Sequence, residues 1–270
     1  MEFRTRVDIK KSKNEISHGQ KILLLGSCFS DNIGEKLVNG GFSATVNPLG
    51  TLYNPASIAS VITECAKPAG QRDGEFFNWL HSKADLSWAE TPDSLSTDIL
   101  CITFGTAWIY RLKETGMVVA NCKKQPDRLF VREKLSVDAI VDTWSQLIEN
   151  WPDGECPRMI FTVSPIRHKK DGLHENQVSK ATLLLAVNEL CKRYPEKCEY
   201  FPAFEIMMDE LRDYRFYAED MMHPSAVAVD YIWEQFQETY FSEQTRQITL
   251  NKEKIHKQEQ HIPFATQNSQ

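Results

Sequence analysis

The chain has 270 residues, 41% of them hydrophobic and 25% charged, which is apolar material for one large domain or two small ones, one being the simpler reading. Its formal net charge of -6 supplies no basic field for a phosphate backbone, so nucleic acid is not expected as a partner. Seven cysteines, at 28, 65, 101, 122, 156, 191 and 198, form no CxxC pair and have no clustered histidines, which argues against a disulfide framework or a structural zinc site.

The start, Met1-Glu2-Phe3-Arg4-Thr5-Arg6, is charged, lacking the apolar core of a secretory signal. No later run approaches the ~18 apolar residues of a membrane span, so a cytoplasmic protein without a membrane span is expected. Lys21 to Leu25 is a short apolar run ended by Gly26 and reads as a buried parallel strand. Ser30 to Leu37 follows with cap residues and a helical pattern. The alternation recurs, with a strand over Phe42 to Val46 and a helix over Asn54 to Cys65, where Asn54-Pro55 supplies cap and first turn. Asp98 to Phe104 is a second strongly apolar strand. Ala107 to Lys113 and Met117 to Cys122 then flank Glu114-Thr115-Gly116, a hairpin inserted between core elements. Val137 to Trp151 is helical, Arg158 to Val163 a buried strand, Asn176 to Arg193 a long helix, and Cys198 to Phe201 the last strand. A helix over Ala226 to Phe241 closes a single domain spanning 1–241, and 242–270 is a polar, lysine- and glutamine-rich peripheral tail.

Strands alternating with helices imply an α/β fold whose parallel sheet is covered on both faces. Sites in such folds lie at the carboxyl ends of the strands. Gly26-Ser27-Cys28, Asn47-Pro48-Leu49-Gly50, Gly105-Thr106 and Ser164-Pro165 all fall just after predicted strands and should share one rim. Late in the chain, Asp220-Met221-Met222-His223-Pro224 places a carboxylate and an imidazole three residues apart. That turn lets the carboxylate reach Nδ1 and leaves Nε2 to accept a proton, with Pro224 suited to the first position of the next helix. A nucleophile on the first turn with its base on a late loop is an order that acyl-transfer enzymes use. An isolated Asp-x-x-His-Pro would more often be a helix cap beside a surface histidine, and an isolated cysteine a small buried residue. Their pairing raises the catalytic reading of Cys28, Asp220 and His223.

Gly26-Ser27-Cys28-Phe29, with Ser30 where the motif has alanine, resembles the sequence that names the GSCFA domain family, a branch of the SGNH (GDSL-type) hydrolase superfamily. The likeness runs from about Gly26 to Ser225. It includes the run from Asn47 to Pro55, Phe104-Gly105-Thr106-Ala107-Trp108, Ser164-Pro165-Ile166-Arg167-His168 and the run from Asp213 to Asp220. The resemblance implies a three-layer α/β/α sandwich with a mainly parallel, flavodoxin-like central sheet. Overlaying the superfamily's Gly-Asp-Ser turn on Gly26-Ser27-Cys28 puts Cys28 on the nucleophile, and Ser27 is the alternative if the turn is shifted. A helix amino terminus and a nearby imidazole favour the thiolate of Cys28. Asp220 and His223 match the superfamily's orienter and base. Gly50 matches an oxyanion-hole glycine. Gly105-Thr106-Ala107-Trp108 lacks the third block's asparagine, whose place Ala107 takes, a loss worth on the order of 100- to 1000-fold in rate unless Asn47, Thr106 or a backbone N–H substitutes.

Ser164, Arg167 and His168 could reach the same rim, with Arg167 offering a bidentate fork to a carboxylate or phosphate. A structural role is as good a reading for these three, and Gly50 and Gly105 could be turn residues alone. Tyr53 and Trp108 could wall an acyl or sugar pocket, and Glu205 has no assignable role. The function that follows is an acyl hydrolase or acyltransferase acting on a small-molecule or carbohydrate-linked ester or thioester. No cofactor is needed, acyl-CoA being a donor if the enzyme is a transferase. The alternative is a ligand- or carbohydrate-binding protein that kept the fold and lost turnover. A metal-dependent hydrolase is weaker, because Asp220 and His223 lack further ligands at metal spacing.

Overall fold

The computed structural model describes residues 4–79, 97–120, 122–152 and 154–260. In chain order the elements are β1 Lys21–Gly26, α1 Cys28–Asn39, β2 Ser43–Val46, α2 Pro55–Cys65, α3 Gly74–Asn78, β3 Ile99–Phe104, β4 Trp108–Leu112, β5 Val118–Val119, β6 Phe130–Lys134, α4 Val137–Glu149, β7 Arg158–Val163, α5 Leu173–Arg193, β8 Cys198–Tyr200, α6 Ala203–Glu205, α7 Ala226–Tyr240 and α8 Glu243–Gln260. Five strands form one sheet in the order β2-β1-β3-β7-β8, every pair parallel.

Alternate side chains of a strand face opposite sides, and here both sides are apolar. Leu23, Leu25, Leu100, Ile102, Met159 and Phe161 pack with residues of α2, α4 and α5. Ile22, Leu24, Ile99, Cys101 and Ile160 pack with residues of α1 and α7. Burial on both faces is why these strands read as unbroken apolar runs. Because β1 sends its chain out to β2 on one side while β3 lies on the other, the topology reverses at the carboxyl end of β1, the place where such sheets leave a crevice.

The inserted hairpin is larger than the sequence suggests. β4 pairs antiparallel with β5 through Tyr110 and Arg111, and also with β6 over its full length. Phe130-Val131-Arg132-Glu133-Lys134 carries too much charge to read as a strand, because only Phe130 of its five residues is buried. Residue 121, within the expected second arm, lies outside the described residues. α3 and a π-helical turn over Ile206–Glu210 were also not anticipated, and α5 begins at Leu173 rather than Asn176. The polar tail is helical through Gln260: Thr249 is fully buried, and Trp233 Nε1 donates to Glu253 at 3.1 Å. Residues 261–270 lie outside the described residues. Among the described residues no helix is long and apolar enough to cross a membrane.

Candidate active site

The turn after β1 depends on Gly26. Its φ is 149°, and a Cβ there would sit 2.4 Å from the Thr103 carbonyl oxygen on β3, so glycine is required. Gly26 N donates to Asn47 Oδ1 at 2.9 Å and Ser27 N to the Thr103 carbonyl at 3.2 Å. Ser27 is buried as the N-cap of α1, its Oγ accepting from Phe29 N at 3.4 Å. Cys28 is the first residue of α1, half-buried, and lines a cavity of about 680 Å³. Its Sγ lies 3.6 Å from His223 Nε2, across 195 residues of sequence.

The other half of the site is a loop held by its own hydrogen bonds. Asp220 Oδ1 accepts from Met222 N at 2.8 Å and His223 N at 2.9 Å, while Oδ2 lies 2.5 Å from His223 Nδ1. With Nδ1 donating to the carboxylate, Nε2 is left to accept from the thiol. The two backbone N–H groups, then the ring, hold the Asp220 carboxyl down to about 2. Pro224 does not open α7: it sits before the N-cap, in a bridge to Tyr217, and Ser225 caps instead by accepting from Ala228 N. Ser225 displaces it because a hydroxyl satisfies an orphan amide and proline cannot.

The thiol itself is not biased toward thiolate. Burial first, then the Asp31 carboxylate, push Cys28 up from the usual cysteine range, and the amides of Cys28 and Phe29 with Lys180 only partly offset them. The helix-terminus effect expected from sequence is present, but desolvation is larger.

Around this pair the rim residues divide into those that line the cavity and those that brace it. Thr106, Arg167, His168, Tyr53 and Trp108 line it with Cys28 and His223. Asn47 is buried and engaged at both ends, its Nδ2 donating to Asp31 at 2.9 Å. Gly50 N donates to the Asn47 carbonyl at 2.9 Å, closing a turn with Asn47 at φ 40° and Gly50 at φ 84°. Gly105 N and Thr106 N both donate to the Tyr53 carbonyl at 2.8 Å. Ser164 is fully buried, accepting from Ile166 N at 3.3 Å. The amides of Gly50, Gly105 and Thr106 are thus all engaged within the protein. Ala107, where the superfamily pattern has asparagine, is fully buried. Glu205 stands off the cavity, accepting from the Tyr200 hydroxyl at 2.7 Å.

Sequence reasoning missed Ser179 and Lys180 on α5. Lys180 is almost fully buried and donates from Nζ to the Gly105 carbonyl at 2.6 Å and the Ser164 carbonyl at 2.7 Å. It thereby ties the carboxyl ends of β3 and β7 together. Burial pulls its ammonium down to about 7. Ser179 Oγ accepts from Ala107 N at 2.8 Å and lies 3.1 Å from Thr106 Oγ1, which accepts from Trp108 N at 3.1 Å. The signal was present: Asn176, Ser179, Lys180, Leu183, Val187 and Leu190 share the buried stripe of α5, and polar residues on such a stripe need partners. His168 is neighbour to this network. Burial first, with Lys180 adding, holds its imidazole down to about 4, so it is neutral at neutral pH. Its Nε2 is buried without a partner in hydrogen-bonding geometry, beside Gly105.

The GSCFA family model matches residues 21–236. Among solved structures, the chain is similar to a carbohydrate esterase family 2 enzyme with a carbohydrate-binding domain from Corynascus thermopiles (Myceliophthora fergusii), at 12% identity and TM-score 0.45, covering 91% of this chain and 69% of that one. It is similar to an acetylxylan esterase from Geobacillus stearothermophilus, at 12% identity and TM-score 0.42, covering 84% and 97%. It is also similar to an alpha/beta hydrolase from the metagenome of Lake Arreo, Spain, at 13% identity and TM-score 0.40, covering 83% and 96%. None of the curated proteins matches.

Proposed function

As the chain belongs to the GSCFA family, we propose that it is an acyl-transfer enzyme with Cys28 as nucleophile, His223 as general base and Asp220 as orienter. The observation that carries this reading is the relay Sγ to Nε2 at 3.6 Å and Nδ1 to Oδ2 at 2.5 Å, assembled from opposite ends of the chain. Because the thiol is raised, Cys28 rests as the thiol. His223 takes the proton as Sγ attacks the carbonyl carbon of an ester or thioester. The tetrahedral intermediate collapses to a Cys28 thioester as imidazolium protonates the leaving group. Water, or a sugar hydroxyl or amine, then gives its proton to His223 as it attacks the thioester, and Cys28 leaves as thiol. Ser27 is less suited to attack, since its buried hydroxyl caps α1.

The oxyanion needs donors, and two are suited to it. Cys28 N heads α1, where no intrahelical acceptor exists. The second is the Thr106 hydroxyl. Ser179 Oγ and Thr106 Oγ1 each already accept one backbone N–H. If Thr106 donated to Ser179, the proton of the buried Ser179 would have no acceptor, at a cost of about 1–3 kcal/mol. With Ser179 donating, Thr106 keeps its proton for the cavity and occupies the role left by the missing asparagine.

A second reading, a ligand-binding protein without turnover, is favoured by Ala107 and by the engaged amides of Gly50, Gly105 and Thr106. Intact-mass labelling with p-nitrophenyl acetate and iodoacetamide separates the two. An acyl adduct on the wild type that is lost in Cys28→Ala and survives Ser27→Ala supports the cysteine enzyme. No adduct, with iodoacetamide labelling indifferent to His223→Ala, overturns it.

A further inference from the structure

We propose that the mouth of the Cys28 cavity binds an anionic group of the substrate, a carboxylate or a phosphate, on Arg167, Lys169 and Lys170. The chain carries a net charge of -6, yet the cavity lining reverses that sign: Arg132, Arg167, Lys169 and Lys170 stand against the single carboxylate of Asp171. Asp171 is already ion-paired with Arg132. Asp220, on the neighbouring loop, is engaged by His223 and two amides.

The three remaining cations have no carboxylate within ion-pairing distance among the described residues, although Asp127 contributes a weak attraction at Lys170. Arg167 and Lys170 are nevertheless held in place. The Arg167 guanidinium lies 4.0 Å over the Tyr217 ring and its backbone N donates to the Met222 carbonyl, which joins it to the loop that carries His223. Lys170 Nζ donates to the Tyr110 hydroxyl at 3.0 Å. Between them His168 N is fixed by Asn176 Oδ1 at 2.9 Å. A planar guanidinium lying on an aromatic face keeps its N–H edge for an acceptor, and positive groups at a partly enclosed cavity concentrate anions. Trp108 and Tyr110 add aromatic surface to the same lining, suited to the uncharged body of the same molecule.

The anion could belong to the acyl group or to the leaving group. The proposal takes its ester from the acyl-transfer reading, but the anion site itself is testable without chemistry. With the full-length Cys28→Ala protein, intrinsic tryptophan fluorescence or calorimetry would measure binding of monomethyl glutarate, of its neutral dimethyl ester, and of acetyl-CoA. Both anionic probes, or one of them, should bind at least about tenfold more tightly than the neutral ester, with the advantage shrinking at high salt. Preference for glutarate places the anion on the acyl side, and preference for acetyl-CoA places it on the leaving group. The advantage should fall several-fold in Arg167→Ala and in Lys169→Gln/Lys170→Gln. Equal binding of charged and neutral probes, or an anion preference untouched by both variants, would overturn the proposal. A failed acyl-adduct experiment on the wild type would instead remove the nucleophile and leave this binding result standing.

Discussion

The two halves of the relay are held by different means. Cys28 stands on a turn set into buried residues: Gly26 pressed against Thr103, Asn47 bridging Gly26 to Asp31, Ser27 capping α1. His223 stands on an exposed loop, with side-chain exposures of 45% for the imidazole and 38% for Asp220, whose shape comes from one carboxylate gathering two amides and a ring. The nucleophile's place is therefore a property of the buried fold, and the base's place is a property of an exposed loop and the few backbone bonds that tie it to Arg167 and Ala218. Damage to the first should appear as lost stability, and damage to the second as lost chemistry in a protein that still folds.

The largest expected effect is on the second half. Asp220→Asn keeps the shape of the group but reverses what it can offer Nδ1, so the wrong tautomer is favoured and kcat for acyl-enzyme formation should fall by up to about 10,000-fold. The thermal midpoint should move little, because the loop is exposed; a large drop in Tm would erase the contrast between the halves. On the first half, Gly26→Ala forces a Cβ into the Thr103 backbone at an unfavourable φ. It should cost about 3 kcal/mol or more, read as a shifted urea midpoint. Asn47→Ala should cost about 2 kcal/mol, because it strands the Gly26 amide and uncouples Asp31.

The same division decides what was legible in the sequence. Strands such as Lys21–Gly26 and Arg158–Val163 are buried on both faces and so carry their signal in every residue after the first. Asp220 and His223 were legible because a local loop keeps its chemistry at fixed spacing. Lys180 was not, since a lysine reads as solvated surface and only its position on the buried stripe of α5 contradicts that. β6 hid because its outer face is charged, and Arg132 is drawn to Trp108, 4.2 Å from the ring, by contacts that no periodicity records. The direction of the Cys28 shift was illegible for a related reason. The helix end and the imidazole can be read from the chain, whereas desolvation depends on what packs around them.

Lys180 sharpens the comparison through pH. Its ammonium has a folded value of about 7 against 10.5 unperturbed. Between those limits the unfolded chain binds a proton that the folded chain does not, so stability rises with pH from 7 upward, by at most about 1.4 kcal/mol per unit. Above 9 the buried thiols, Cys101 at about 12 and Cys65 at about 11, act in the opposite sense. Urea midpoints between pH 7 and 9 should therefore climb in the wild type and flatten in Lys180→Met; parallel slopes would mean that Lys180 stays charged on its two carbonyls.

The smallest effect tests the boundary between the halves. Asp31 touches neither Cys28 nor substrate in the relay, yet its charge is the second cause raising the thiol, and Asn47 holds it in place. Asp31→Asn keeps the hydrogen bond from Asn47 Nδ2 to a side-chain oxygen and removes the charge. The pH profile of iodoacetamide labelling at Cys28 should then move to lower pH, because the thiolate is the reactive form. The burial contribution stays, so the thiol should remain above the ordinary cysteine range. If the profile does not move, the field at Cys28 is set by desolvation alone, and the buried half tunes the nucleophile by packing rather than by charge.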